Sequence, residues 1–356
     1  MRLIMAGGGT GGHLFPGLAV AREFQRRDEM TEILFVGSEQ GIEKRVLPQE
    51  GFRLETLPVR GLKGRGIRGL VGALYRLPAS LIRALGIIGR FRPELVIGLG
   101  GYASGPLVLA GKARRIRCAI MEQNLRPGLT NRILGRIVDR VFTSYEESLS
   151  YFPGAKVTRT GNPIRWRSAP QAVKDNKFSL LIFGGSAGAH RINLSAVDAL
   201  GRLKDLGSRL RVLHQTGEAD YAKVKAAYQL LPFESRIVPF IEKMDEAYAQ
   251  ADLVLCRAGA STVAELALFG KPAILAPYPY AADDHQRWNA EALRKEGAAE
   301  MILDRELTGD FLAERIRALF QDRKGLEAMG EAAKKLAQPE AAQRIVEECC
   351  ALVHGS

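Results

Sequence analysis

The chain has 356 residues, 46% of them hydrophobic, ample for more than one packed domain. Its four cysteines (Cys118, Cys256, Cys349, Cys350) show neither metal-ligand spacing nor a disulfide pattern, and no apolar run reaches the roughly 18 residues of a membrane span, which predicts a cytosolic, non-secreted protein. The formal net charge of +12 sits in the first half, where residues 1–165 hold 26 Lys+Arg against 13 Asp+Glu, so that half faces something anionic; two tryptophans and 7% aromatics without basic interleaving argue against nucleic acid.

Met1 to Ala6 reads as a short buried strand, and Leu14 to Arg27 carries apolar residues at helical spacing. Between them "GGGTGG", Gly7 to Gly12, forms a strand-to-helix turn suited to phosphate, with His13 as the first large polar group. The same turn opens dinucleotide-binding units, and Glu39, after the strand Ile33 to Val36, is where a ribose-binding acid would stand. Residues 66–93 form an apolar stretch in which Arg76, Arg83 and Arg90 recur every seven positions, with Leu81, Leu85 and Ile88 elsewhere around the helix and Pro78 expected to break or restart it. Further strands are expected at Leu95 to Leu99 and Ala119 to Met121, and a linker at residues 160–171.

The opening phrase then returns. Ser179 to Phe183 reads as a strand, Gly184 to Ala189 as a small-residue turn, and a helix follows from about Arg191. Strands at Arg211 to His214, Leu253 to Cys256 and Ala273 to Ala276 continue the alternation, so the chain is expected to be α/β, with two doubly wound parallel-sheet domains and a ligand cleft between them. Arg257 to Ser261 is a turn and Thr262 to Phe269 a helix, with Glu265 one turn in. There a carboxylate can accept from a ribose diol, or simply complement the helix dipole. In "DDHQRWNA", His285 and Gln286 can present groups to sugar hydroxyls, or mark an ordinary helix start capped by Asp283 or Asp284.

Six motifs occur in order: "GGTGGH" (Gly8 to His13), "EQN" (Glu122 to Asn124), "GNPIR" (Gly161 to Arg165), "GGSAGA" (Gly184 to Ala189), "RAGASTVAE" (Arg257 to Glu265) and "HQRWNA" (His285 to Ala290). Together they resemble the MurG family of bacterial N-acetylglucosaminyltransferases across residues 1 to about 345. The resemblance implies the glycosyltransferase B fold, with an acceptor domain over 1–163, a UDP-N-acetylglucosamine domain over 164–340, and a C-terminal helix over 341–356 packing back on the first. It implies inverting transfer to the 4-hydroxyl of the N-acetylmuramoyl unit of undecaprenyl-linked lipid I, giving lipid II.

By the same resemblance, Ser186 and Arg165 would bind the donor diphosphate, Ile241 the uracil, Glu265 the ribose, and Ala260, Ser261 and Thr262 the phosphate and sugar. His285 and Gln286 would read the sugar hydroxyls. Thr10, Gly11, Gly12 and Asn124 would meet the transferred sugar from the other domain, while Gly9, Gly11, Gly12, Gly101 and Tyr102 would surround the acceptor pyrophosphate. His13 and Glu265 form the catalytic set, His13 being either the base for the acceptor hydroxyl or a phosphate ligand. No D-x-D triplet occurs, so no metal and no cofactor is expected.

By itself the 66–93 stretch also fits a core helix with a solvated arginine stripe. A polyprenyl-anchored acceptor favours docking of this stretch, through Arg76, Arg83, Arg90, Leu81, Leu85 and Ile88, on an anionic bilayer at the cytoplasmic face, beside other cell-wall enzymes. Three rivals are a UDP-N-acetylglucosamine 2-epimerase, which shares fold and donor, a dehydrogenase using Glu39, and a basic nucleic-acid-binding protein.

Overall fold

The computed structural model describes residues 1–39, 41–59, 66–168, 170 and 176–355, with backbone alone at 66–77, 155 and 282. Contacts divide it into two units, residues 1–165 with 340–356, and residues 166–339.

The first unit runs β1 (Arg2–Gly7), α1 (Gly11–Arg27), β2 (Glu32–Ser38), α2 (Glu43–Gln49), β3 (Arg53–Leu57), α3 (Gly66–Phe91), β4 (Leu95–Gly100), α4 (Ser104–Ala113), β5 (Arg117–Glu122), α5 (Leu129–Leu134), β6 (Arg140–Thr143) and β7 (Val157–Arg159). Its strands pair in the order β3-β2-β1-β4-β5-β6-β7, every pair parallel. Such strands are apolar on both faces because helices cover both. Leu3 and Met5 of β1 pack with Leu14, Leu18 and Phe24 of α1. Ile4 and Ala6, on the other face, pack with Ala84, Ile87 and Ile88 of α3 and with Leu107 and Val108 of α4.

The second unit runs β8 (Phe178–Phe183), α6 (His190–Gly201), β9 (Leu210–Gln215), α7 (Tyr221–Tyr228), β10 (Glu234–Val238), α8 (Met244–Gln250), β11 (Leu253–Cys256), α9 (Ala260–Phe269), β12 (Ala273–Leu275), α10 (His285–Lys295), β13 (Ala299–Met301), α11 (Gly309–Gln321) and α12 (Arg323–Lys335). Its sheet is again all parallel, in the order β10-β9-β8-β11-β12-β13. Leu180 and Ile182 face α6 and α11, whereas Leu181 and Phe183 face α8, α9 and α10. The last helix, α13 (Ala341–His354), leaves this unit and buries Ile345, Val346 and Cys349 against α1 of the first.

Two expectations about residues 66–93 need correction. Helix α3 runs through Pro78 without a break, because proline removes one donor and one turn's contact while the flanking turns carry on. Ile88 is 3% exposed and lies in the core beside Ala84 and Ile87, with Leu81 and Leu85 packed against it, so this arc faces the sheet and not a bilayer. The arginine spacing identified an apolar arc without saying which neighbour covers it.

One buried group gives the second unit a pH dependence. His214 on β9 is fully buried, its Nδ1 2.9 Å from the Tyr228 hydroxyl and its Nε2 3.1 Å from Asn193 Oδ1. Asn193 uses its amide nitrogen on the Thr216 carbonyl and on Asp220, so Oδ1 is the acceptor and Nε2 of the imidazole the donor. Burial pushes its pKa down to about 3, with Asp220 opposing. A depressed histidine stabilises fully above its unfolded value of about 6.5, and that stability drains away as pH falls toward the folded value. Between pH 6.5 and 5 the loss should be about 2 kcal/mol at 1.36 kcal/mol per unit. Both tryptophans, Trp166 and Trp288, lie in this unit and report its unfolding. Denaturant midpoints followed by their fluorescence should fall over that range, and His214→Gln should flatten the fall; an equal slope in the variant would refute the assignment.

Candidate active site

In each sheet the strand order reverses beside the first strand, between β1 and β4 and between β8 and β11. Ligands of doubly wound sheets sit beyond the carboxyl ends of the strands at that point. Four of the segments singled out in the sequence lie there: Gly8 to His13 after β1, Gly101 and Tyr102 after β4, Gly184 to Ala189 after β8, and Arg257 to Thr262 after β11.

In the first unit, Gly7 has φ 148°, and a Cβ on it would stand 2.4 Å from the Gly100 carbonyl, so both the conformation and the space demand glycine. The amides of Gly11 and Gly12, first in α1, have no intrahelical acceptor, the arrangement that lets a helix N-terminus meet an anion. Gly9 does not join them. Its N–H donates to Glu43 Oε2 at 2.8 Å, which removes it from the set expected to bind pyrophosphate.

His13 sits partly buried in the first turn of α1, its ring against Gly100, where a Cβ would come 2.7 Å from Nδ1. Nδ1 lies 3.1 Å from Gln123 Oε1, and Gln123 Nε2 donates to the Leu99 carbonyl at 3.0 Å. That anchor fixes the amide so that its oxygen accepts from Nδ1–H, which leaves the lone pair on Nε2. Burial lowers the imidazole pKa below its ordinary value, opposed by the Gln123 contact, so the ring is neutral at neutral pH and able to take a proton.

Asn124 donates from its backbone (3.0 Å) and its side chain (3.2 Å) to Glu122 Oε1. Glu122 also accepts from Asn131 Nδ2 at 2.9 Å and from Gly128 N–H at 3.2 Å. Burial raises its pKa while these donors pull it down. A Cβ on Gly101 would stand 2.7 Å from the Gly8 carbonyl, so this glycine closes on the turn itself. Tyr102 is 44% exposed, and Arg165 stacks over the Phe15 ring at 4.7 Å within the same unit.

In the second unit, Ser186 is exposed on the turn after β8. Gln215, buried at the end of β9, donates to the Gly185 carbonyl at 2.9 Å and to the Pro239 carbonyl at 3.3 Å, joining that turn to the segment carrying the partly buried Ile241. Helix α9 starts at Ala260, two residues before the expected Thr262, so Ala260, Ser261 and Thr262 supply its unpaired N-terminal amides. Ser261 Oγ is buried and makes no hydrogen bond among the described residues. Glu265 Oε2 accepts from the Tyr248 hydroxyl at 2.9 Å, and Tyr248 itself stacks on Phe269.

Gln286 accepts the Tyr278 N–H at 3.0 Å through Oε1, so its amide nitrogen is the end able to meet a sugar. His285 opens α10 beside it. Asp284 occupies the cap position without a capping hydrogen bond, and Asp283 and Asp284 take φ of 50° and 55°, so the alternative of an ordinary aspartate-capped helix start is not met. Arg257 is structural: its guanidinium binds the Ala276 and Pro277 carbonyls and Asp304. Among the described residues no cluster of three His, Cys, Asp or Glu could hold a metal.

The anionic-surface residues fall differently. Arg83 is exposed, Arg90 pairs with Glu55 at 2.8 Å, and the Arg76 side chain lies outside the described residues. Exposed aliphatic side chains of the first unit are Met30 after α1, Ile82 on α3, Leu109 on α4, and Leu129, Ile133 and Ile137, the last three spaced by four on and after α5 with exposed Arg132 and Arg136 between them. No helix among the described residues is long and apolar enough to cross a membrane.

Two parallel α/β units, each with a glycine turn and helix ends at its switch point, define a glycosyltransferase of the B fold. The chain belongs to glycosyltransferase family 28, whose N-terminal domain matches residues 3–143 and whose C-terminal domain matches residues 179–345. It is 50% identical to a UDP-N-acetylglucosamine--N-acetylmuramyl-(pentapeptide) pyrophosphoryl-undecaprenol N-acetylglucosamine transferase of Geobacter sulfurreducens, over 99% of this chain and 98% of the relative. Among solved structures it is similar to MurG of Acinetobacter baumannii, with 32% identity, a TM-score of 0.80, and coverage of 97% and 98%. A UDP-GlcNAc 2-epimerase of Neisseria meningitidis shares the fold alone, at 14% identity and a TM-score of 0.68 over 98% of this chain and 99% of that one.

Proposed function

We propose that this protein transfers N-acetylglucosamine from UDP-N-acetylglucosamine to the 4-hydroxyl of the N-acetylmuramoyl unit of undecaprenyl-pyrophosphoryl-linked N-acetylmuramoyl-pentapeptide, forming the β-linked disaccharide. The observation that carries this is end-to-end identity at 50% with a transferase of that name, joined to a neutral histidine at the first unit's switch point.

In this reading the second unit takes the donor. Glu265, aimed by Tyr248, accepts from the ribose diol, and the amides opening α9, with Ser261 Oγ and Ser186, meet the diphosphate, for which Arg165 of the first unit is the proposed cation. Ile241 presents its backbone to the uracil, and Gln286 with His285 meets the sugar hydroxyls. The first unit takes the acceptor, its pyrophosphate on the amides of Gly11 and Gly12, beside Gly101 and Tyr102. Thr10 and Asn124 meet the transferred sugar. His13 Nε2 removes the proton from the attacking hydroxyl as the C1–O bond to UDP breaks, and the charge growing on UDP is met by helix-end amides. The test is UDP release with EDTA present, with and without the lipid-linked acceptor. Release only with acceptor supports transfer, whereas turnover of the donor alone would sink it.

We further infer reversible docking on an anionic bilayer through Ile82, Leu129, Ile133 and Ile137, flanked by Arg83, Arg132 and Arg136. Each arginine near the surface adds on the order of 1 kcal/mol. Cosedimentation with vesicles containing phosphatidylglycerol should drop several-fold for Ile133→Glu with Ile137→Glu; binding unchanged by that pair would remove this surface from the account.

A further inference from the structure

Glu43, the first residue of α2, is 0% exposed, and among the described residues it has no basic partner. Three donors converge on its carboxylate instead: the Gly9 N–H at 2.8 Å on Oε2, and the Ser38 N–H at 2.7 Å and hydroxyl at 2.9 Å on Oε1. Three glycines make the room. A Cβ would stand 2.8 Å from the carboxyl carbon at Gly8, 2.6 Å from Cγ at Gly37 and 1.9 Å from Oε2 at Gly41. A buried anion met by two backbone amides and a hydroxyl is the environment a glycine turn usually offers to a ligand's phosphate. Here the protein supplies the anion itself.

The consequence reaches His13. The turn has few constraints of its own, with φ of 141° at Gly8 and 86° at Gly9, and Thr10, which precedes α1, forms no side-chain cap. From the β4 side Gly101 closes on the Gly8 carbonyl; from the β2 side Glu43 holds the Gly9 amide. Between these two contacts the chain enters α1, whose first turn carries the amides of Gly11 and Gly12 and the imidazole of His13.

We propose that Glu43 is a positioning residue for the reaction: its buried carboxylate clamps the glycine turn and thereby sets where His13 and the acceptor-side amides stand. This rests on the reading of His13 as the base. Glutamine is nearly the same shape but has only one accepting end, so in Glu43→Gln an NH2 must face either the Gly9 or the Ser38 N–H, and one contact is lost.

The test uses the full chain as Glu43→Gln, with Ser38→Ala as a milder variant that keeps the backbone donor and folds without a buried mismatch. Two quantities are read: steady-state transfer, and hydrogen exchange of the peptide spanning residues 6–13. Glu43→Gln should lower kcat roughly ten- to a hundredfold, the scale of a small misplacement of reacting groups, with KM for UDP-N-acetylglucosamine unchanged and exchange over 6–13 accelerated. Ser38→Ala should move both in the same direction by a few-fold. Unchanged kcat and exchange in folded Glu43→Gln would overturn the proposal, as would a kcat loss that tracks a fall in melting temperature and recovers on cooling. Should the wild type transfer nothing while exchange still responds to Glu43→Gln, the reaction reading falls and the clamp on the turn stands.

Discussion

Replacing His13 with alanine is expected to lower kcat by roughly 10²- to 10⁴-fold, the contribution of a positioned general base, with little change in KM for UDP-N-acetylglucosamine. The expectation rests on the ring's setting: Nδ1 is tied to Gln123, Gln123 is tied to the Leu99 carbonyl, and Nε2 keeps the lone pair. Burial lowers the imidazole pKa, so activity should hold as pH falls from neutrality and drop only below the ordinary histidine value of about 6.5. Gln123→Glu sets a carboxylate against Nδ1, which favours the protonated ring and should move that acid limb to higher pH. A loss under about tenfold in His13→Ala, or a limb indifferent to Gln123→Glu, would return His13 to the role of phosphate ligand.

The second large effect is expected at Glu265. Hydrogen bonds to a charged group are worth about 1.5–3 kcal/mol, so Glu265→Ala should lower kcat/KM for the donor by roughly ten- to a hundredfold. Tyr248→Phe keeps the ring on Phe269 and removes only the hydroxyl that aims the carboxylate, so a loss of a few-fold should suffice. The sharper control is a donor with 2′-deoxyuridine. Wild type should discriminate against it, and Glu265→Ala should largely cease to. If the variant discriminates as strongly as wild type, the carboxylate serves the helix and not the ribose.

The eight strands expected from the sequence were legible because a parallel strand covered on both faces is a short apolar run, and β1, β4, β8 and β11 are buried along nearly their whole length. Strands β3, β6, β7, β10 and β13 were not marked; they stand toward the sheet edges, where fewer apolar residues are required. The glycine turns were visible for a local reason too, since few residues other than glycine accept a φ near 148° in contact with another backbone.

The groups that hold the site are a different matter. Glu43 reaches Gly9 across 34 residues, Gln123 reaches His13 across 110, Gln215 reaches Gly185 across 30, and Tyr248 reaches Glu265 from a different helix. No periodicity announces such contacts, because the sheet order that creates them is a long-range property. The 66–93 stretch misled for the complementary reason: its pattern defined an apolar arc, but the sheet, supplied by residues elsewhere, decided that the arc is core.

The measurement that tests the account most directly is the structure of the product formed from UDP-N-acetylglucosamine and the lipid-linked acceptor, read by NMR for the position and configuration of the new bond. A single displacement assisted by a neutral base on the acceptor hydroxyl predicts a β-linkage from the α-linked donor, at the 4-hydroxyl of the N-acetylmuramoyl unit. An α-linkage, or epimerised sugar nucleotide with no new bond, would contradict it.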